Sequence, residues 1–183
     1  MRKTLYLAAI TLLLAAPVAK AQLGTTTGTT TLNVTVAAEA ALSVSATPNF
    51  TSTGTNFSNY TGLTNLTYFI RTTAAGGSGF IKLQVTTDFS PVGGPSVATP
   101  PTAGDALNYT CTVANPGNNG TATACVGSIA ASTGVQTSVA TFGPDNRSLI
   151  TGNSASVNWS LTNDPKYKTG AYAATVTFTI SAS

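Results

Sequence analysis

Few residue types in this chain could carry out chemistry. The 183-residue sequence has no histidine, two cysteines and five acidic residues. Without an imidazole, neither a Ser-His-Asp nor a Cys-His nucleophile can be assembled, and metal centres that depend on histidine are excluded as well. The composition therefore argues against an enzyme that works by nucleophilic or zinc chemistry.

The acidic residues are spread singly along the chain, as Glu39, Asp88, Asp105, Asp145 and Asp164. No Asp-x-Asp-x-Asp spacing indicates a calcium loop. Three of the aspartates lie beside Gly or Pro, where an aspartate commonly caps a turn. Two carboxylates could still converge in the fold as in a glycosidase, but turn roles are favoured. We predict no catalytic residue, no metal and no cofactor.

The two cysteines, Cys111 and Cys125, are expected to form a disulfide. An even cysteine count in an exported chain favours a bridge, and a pair without histidine or Cys-x-x-Cys spacing is a poor metal or redox site. Between them, Asn115–Gly120 has strong turn residues. We predict that the bridge staples a hairpin at this turn, which could also serve as a recognition tip.

Export is predicted from the first 21 residues. Arg2 and Lys3 precede an apolar run from Leu5 to Ala16, and Ala19-Lys20-Ala21 has small residues at the positions for cleavage. Residues 1–21 are therefore expected to be a signal peptide that is removed before Gln22. The apolar run is too short for a permanent membrane anchor. We predict a secreted or cell-surface protein of a bacterial envelope, extracellular or periplasmic, without membrane insertion.

Removal of this leader changes the charge of the chain. Arg2, Lys3 and Lys20 leave, which reduces eight basic residues to five, against five acidic residues. The mature chain is then formally neutral. Because nucleic-acid binding needs a clustered basic face, we predict no nucleic-acid partner.

Short β-strands are the elements that must position these residues. Apolar and polar residues alternate with a period of two along most of the chain, and no useful length has helical periodicity. The clearest strands are Leu66–Ile70, Ile81–Val85, Val157–Leu161 and Tyr172–Ile180, with Ser138–Phe142 and Ser148–Thr151 as weaker candidates. The first two of these are predicted to pair as a hairpin. Roughly eight to ten strands indicate an all-β, antiparallel β-sandwich, immunoglobulin-like or jelly-roll-like.

The N-terminal part of the mature chain is expected to be an arm followed by a strand. Residues 22–31 are rich in Gly and Thr and are predicted to be flexible, and residues 32–183 are predicted to form a single domain. Leu32, Val34 and Val36 alternate with polar residues, as in a half-buried strand. This strand could be the first of its own sandwich, or it could complete the sheet of a neighbouring copy through main-chain hydrogen bonds.

Aromatic residues supply the candidates for ligand binding. Phe50, Phe57 and Tyr60 lie in a polar, Gly-interrupted segment, where they could stack on a glycan or fold back over one end of the sandwich. Trp159 could be a sugar platform, but its alternation with Val157 and Leu161 places it on the face expected to be the core.

The C-terminal quarter resembles a family of bacterial surface modules. Trp159-Ser160-Leu161, followed by Pro165 and the alternating run Tyr172–Ile180, is similar to the C-terminal part of WxL domains. These are β-rich modules that associate non-covalently with cell walls. The resemblance implies a cell-wall glycan as partner and a role for Trp159 and Leu161 in binding it. The family's second Trp-x-Leu motif would fall here on Phe178-Thr179-Ile180, which departs from it.

The chain also resembles fimbrial subunits and related secreted immunoglobulin-like proteins. The resemblance rests on the leader, the Thr-rich N-terminal strand, the single disulfide and the Tyr172–Ile180 strand. It implies a non-catalytic structural or adhesive surface protein whose partner is a further copy of itself. The alternative is a carbohydrate- or peptidoglycan-binding module.

Overall fold

The computed structural model describes residues 28–52, 54–98 and 106–183. The predicted signal peptide and residues 22–27 of the predicted arm lie outside these ranges. The chain divides into two compact units, residues 1–34 and residues 35–183. The strands all belong to the second unit, and the described residues of the first, 28–34, are exposed and belong to no strand.

Two antiparallel sheets pack against each other and confirm the predicted all-β sandwich. The nine strands of the described residues are β1 (Glu39–Val44), β2 (Tyr60–Arg71), β3 (Gly79–Ser90), β4 (Leu107–Val113), β5 (Ala122–Ala124), β6 (Ile129–Ala131), β7 (Thr137–Phe142), β8 (Asn153–Leu161) and β9 (Ala173–Ala182). One sheet has the order β1-β2-β8-β4-β6 and the other β5-β7-β3-β9. The described residues contain no helix that could cross a membrane.

The core lies between the sheets and follows the period-two pattern of the sequence. On β3, Ile81, Leu83 and Val85 are fully buried, and the polar residues between them are not. On β8 the buried face runs from Asn153 to Leu161 at every second residue. Each fully buried apolar side chain of this kind contributes about 1.5–3 kcal/mol to folding.

The predicted hairpin between Leu66–Ile70 and Ile81–Val85 is wrong, although both strands exist. The first run lies in β2, which pairs with β1 and β8, and the second lies in β3, which pairs with β7 and β9. The connection between β2 and β3 therefore crosses from one sheet to the other. Alternation identifies a strand and its buried face, but two consecutive strands facing the same core have the same pattern whether or not they pair.

The disulfide between Cys111 and Cys125 is confirmed, but it does not staple a hairpin. The two Cα atoms are 5.5 Å apart. Cys111 lies on β4 in the five-stranded sheet, whereas Cys125 directly follows β5, which pairs with β7 in the other sheet. The bridge therefore ties the two sheets together at the margin of the core.

Two further expectations about strands have different outcomes. The weaker candidate Ser138–Phe142 is confirmed as β7. The other, Ser148–Thr151, is wrong, because Gly152 N–H donates to the Leu149 carbonyl at 3.0 Å and closes a turn. Ile150 at the tip of this turn is 95% exposed. The apolar residues Leu149 and Ile150 beside hydroxyl residues are consistent with a strand, but the turn hydrogen bond fixes a different backbone conformation.

Two buried tyrosines should make stability fall in alkali. Burial raises the pKa of Tyr68 to about 12. Burial also raises the pKa of Tyr109, although the hydrogen bond between Tyr109 and Thr137 lowers that pKa in part. An unfolded tyrosine ionises near pH 10. Between about pH 10 and pH 12, Tyr68 therefore loses its proton only in the unfolded state, and this ionisation lowers the free energy of the unfolded state relative to the folded state.

We therefore expect the urea midpoint of unfolding to drop between about pH 9 and pH 11. Tyr68→Phe should weaken this dependence, whereas Phe57→Ala, which removes an exposed ring without an ionisable group, should leave it unchanged. An equally steep decline in Tyr68→Phe would show that other groups cause it.

Candidate functional site

The β9 strand forms an open edge of the sandwich. It pairs with β3 on one side, and among the described residues no strand pairs with its other side. β1, the edge strand of the opposite sheet, contacts β9 on this side of the molecule. A row of backbone N–H and C=O groups is thus available for pairing with another strand.

The core beneath this edge is incompletely covered. Val176, Phe178 and Ile180 point inward from β9, yet each is only half-buried. Their partners on β3, which are Val85, Leu83 and Ile81, are fully buried. The inward side chains of β1 are also only partly buried. The side of the sandwich at β1 and β9 therefore exposes apolar surface that one more strand would cover.

The sequence of β9 lacks the features that usually protect an edge strand. Exported proteins discourage unwanted pairing with charged residues, prolines or very short edges. The ten residues Ala173–Ala182 contain no charge and no proline. The outward face has Thr175, Thr177 and Thr179, and the Thr177 hydroxyl lies 3.0 Å from that of Thr86 on β3. The edge is long, neutral and apolar on its inner side.

The predicted strand at Leu32–Val36 is not a strand in the structure. Leu32, Val34 and Val36 are 90%, 85% and 63% exposed, and β1 begins only at Glu39. A single extended segment gains no ladder hydrogen bonds unless a sheet edge is beside it, so alternation alone does not make a strand. The chain thus contains an alternating apolar segment whose side chains are in solvent.

The structure separates the three aromatic residues of the predicted binding segment. Phe50 packs inward, with its ring over Gly62 and 6.5 Å from the Trp159 ring. Tyr60 is half-buried at the start of β2. Only Phe57 is an exposed platform, with 59% of its surface accessible and a backbone φ of 55°. The glycan site predicted on this segment stays a prediction and rests on Phe57.

The Trp159 and Leu161 side chains belong to the core. Trp159 is 4% exposed, its Nε1–H donates to the Thr64 hydroxyl at 2.9 Å, and its ring is 5.5 Å from that of Tyr109. Leu161 is equally buried. Neither side chain is accessible to a cell-wall ligand in this conformation, so the WxL resemblance stays a prediction without a surface site at this motif.

The described carboxylates have hydrogen-bond or ion-pair partners within the fold. Asp88 accepts hydrogen bonds from the Ser96 hydroxyl and the Val97 N–H, and Asp164 accepts one from the Lys166 N–H. In the described part of the chain, no three His, Cys, Asp or Glu side chains come together.

The open edge is the feature that the sequence does not predict, because periodicity does not reveal which strand lacks a neighbour. The chain matches no family model, no curated protein and no solved structure.

Proposed function

We propose that this protein is a secreted, non-catalytic structural subunit that assembles with further copies of itself at the cell surface. In this proposal, residues Leu32–Val36 of one copy add as a strand to the open edge of β9 in the next. The observation that carries it is the combination of an uncovered edge and an exposed alternating segment in the same chain.

The acceptor side supports strand addition for two reasons. The free N–H and C=O groups of β9 can form a ladder with any extended backbone, which supplies affinity without sequence requirements. The half-buried side chains of Val176, Phe178 and Ile180 add an apolar contribution, since a covering strand would remove their remaining surface from water.

The donor side matches the acceptor in length and period. Leu32, Val34 and Val36 point to one side of an extended strand, and this spacing equals that of the three half-buried residues of β9. The residues between them, Asn33 and Thr35, would face solvent, as the threonines of β9 do. A strand from a neighbouring copy would thus continue the inside–outside alternation of the sheet.

Export is part of the proposal because a structural disulfide persists in an oxidising compartment. The bridge between Cys111 and Cys125 is compatible with that location. An open apolar edge is also a hazard in a monomeric protein, which favours a protein whose edge is occupied in its working state.

A pair of neighbouring substitutions tests the proposal. The purified chain should form concentration-dependent oligomers or filaments in size-exclusion chromatography and electron microscopy. Val34→Asp should leave monomers, because it places a charge against the inward face of β9. Deletion of residues 22–37 should do the same.

Thr35→Asp is the matched control, since it adds the same charge one residue away on the solvent side, and it should assemble normally. A synthetic peptide of residues 30–38 should bind to the Val34→Asp monomer, whose β9 edge is intact. A wild-type chain that stays monomeric, or equal assembly of the two aspartate variants, would contradict the proposal.

A further inference from the structure

An open pocket of about 340 Å³ lies on the outer face of the five-stranded sheet. Its floor is the paired ends of β1 and β2, and its wall is the segment around Arg147 together with Asn118. This volume is at the lower end of the range of small-molecule sites.

Both arginines of the described residues line this pocket. They are 76 positions apart in sequence, but Arg71 and Arg147 form an antiparallel bridge through their backbones. Arg147 also bridges Asn119, so the backbone beneath both side chains is fixed. In a chain with so few charges, two arginines that line one pocket are a specific feature.

The guanidinium groups are held by carboxylates and keep donors to spare. Arg71 Nη2 is 2.9 Å from Glu39 Oε2, and Arg71 Nε–H donates to the Ala37 carbonyl at 2.7 Å. Arg147 Nη2 is 3.3 Å from Asp145 Oδ2. All four of these charged side chains are at least two-fifths exposed, and each guanidinium has five N–H donors. A carboxylate entering the pocket can therefore pair with them in the manner of Glu39 and Asp145.

The pocket also offers apolar surface beside these charges. Phe69 is outward-facing on β2 and partly exposed, and Leu149 on the wall is exposed to a similar extent. The Phe69 ring rests near Gly152, where a side chain would collide with it. A ring face next to planar, charged hydrogen-bonding groups suits a ligand with one apolar face and a polar rim.

A second pocket of about 280 Å³ continues the same face of the sheet. Asn65, Ser156 and Thr112 lie in one row across β2, β8 and β4, and Ser154 is beside them. Asn65 is four residues before Phe69 on β2, which corresponds to about 13 Å along the strand. Hydroxyl and amide groups both donate and accept hydrogen bonds, as the hydroxyls of a sugar do.

We propose that this face binds an extended saccharide that carries a carboxylate. The carboxylate pairs with Arg71 and Arg147, a sugar ring lies on Phe69, and the following rings contact the row of Asn65, Ser156 and Thr112. None of the residues that line the two pockets lies on β9, so the inference goes beyond the proposed assembly function.

The test uses a linear trisaccharide with a carboxylate on each ring, trigalacturonic acid, titrated into the full chain and followed by amide chemical shifts. Saturable shifts are expected at Phe69, Arg71, Asn118 and Arg147, with weaker binding at high salt. The neutral trisaccharide maltotriose should bind at least about tenfold more weakly, because it lacks the charge-assisted pairs.

Arg147→Gln should also weaken binding by about tenfold or more, while an exposed arginine is dispensable for folding. Lys82→Gln, which removes the same charge from the opposite sheet, should bind as wild type. The absence of saturable shifts at millimolar trigalacturonic acid, equal weakening by Lys82→Gln, or tighter binding of triglutamate than of the saccharide would each overturn the proposal.

Discussion

Replacing Trp159 with alanine should lower the free energy of unfolding by about 3–5 kcal/mol, the usual cost of removing a large aromatic side chain from a core. Trp159 lies on β8 between two neighbouring strands of the sheet, and its ring contacts those of Phe50 and Tyr109. The cavity cannot close easily, because strands on both sides of β8 fix the surrounding backbone.

Trp159→Phe removes the hydrogen bond while it keeps part of the buried aromatic volume. It keeps an aromatic ring but leaves the buried Thr64 hydroxyl without the indole donor, which should cost about 1–3 kcal/mol on its own. Unfolding in urea should be followed by far-ultraviolet circular dichroism, since Trp159 is the only tryptophan.

Phe57→Ala is the control for these variants, because its side chain is mostly in solvent. It should change stability by no more than about 0.5 kcal/mol. If Trp159→Ala cost no more than this control, Trp159 would not be a core residue in solution.

The sequence predicted the strands and their buried faces well, because burial on one side of a strand leaves a local pattern. The alternations at Val157–Leu161 and Tyr172–Ile180 correspond to β8 and β9, with bounds that differ by a few residues. The short strands β5 and β6 have only three residues each, too few for a period of two to be recognised.

Strand partners could not be predicted, since pairing depends on contacts distant in sequence. β2 pairs with β8, which begins more than 80 positions after β2 ends, rather than with the adjacent β3. The disulfide was predictable from the cysteine count, but its span between sheets depends on this pairing. The same reason explains the open edge, because no local pattern distinguishes a strand with one neighbour from a strand with two.

The saccharide pocket shows the same limit for a site. Arg71 and Arg147 are ordinary surface residues in the sequence, and only the bridge between their backbones brings them together. By contrast, the alternation of Val157, Trp159 and Leu161 was sufficient to predict that Trp159 is a core residue, and Trp159 packs beside the partly buried Phe50. Residue type indicates what chemistry a side chain can do, and the strand order decides where it is available.

Removal of the disulfide should also lower the free energy of unfolding substantially. The Cys111→Ala, Cys125→Ala double variant should lose about 3 kcal/mol, because the bridge closes a loop of about 15 residues in the unfolded chain. The variant should fold to the same strands, since neither cysteine supplies a main-chain hydrogen bond that alanine cannot. The double change also avoids a free thiol, which a single substitution would leave.

Urea unfolding of the oxidised and reduced wild type supplies the matched comparison. Reduction should shift the wild-type midpoint close to that of the double variant, and reductant should not affect the double variant. Because the bridge joins β4 in one sheet to the end of β5 in the other, amide hydrogen exchange should increase first in the short β5 strand. A double variant as stable as the oxidised chain would mean that the packed core alone holds the two sheets together.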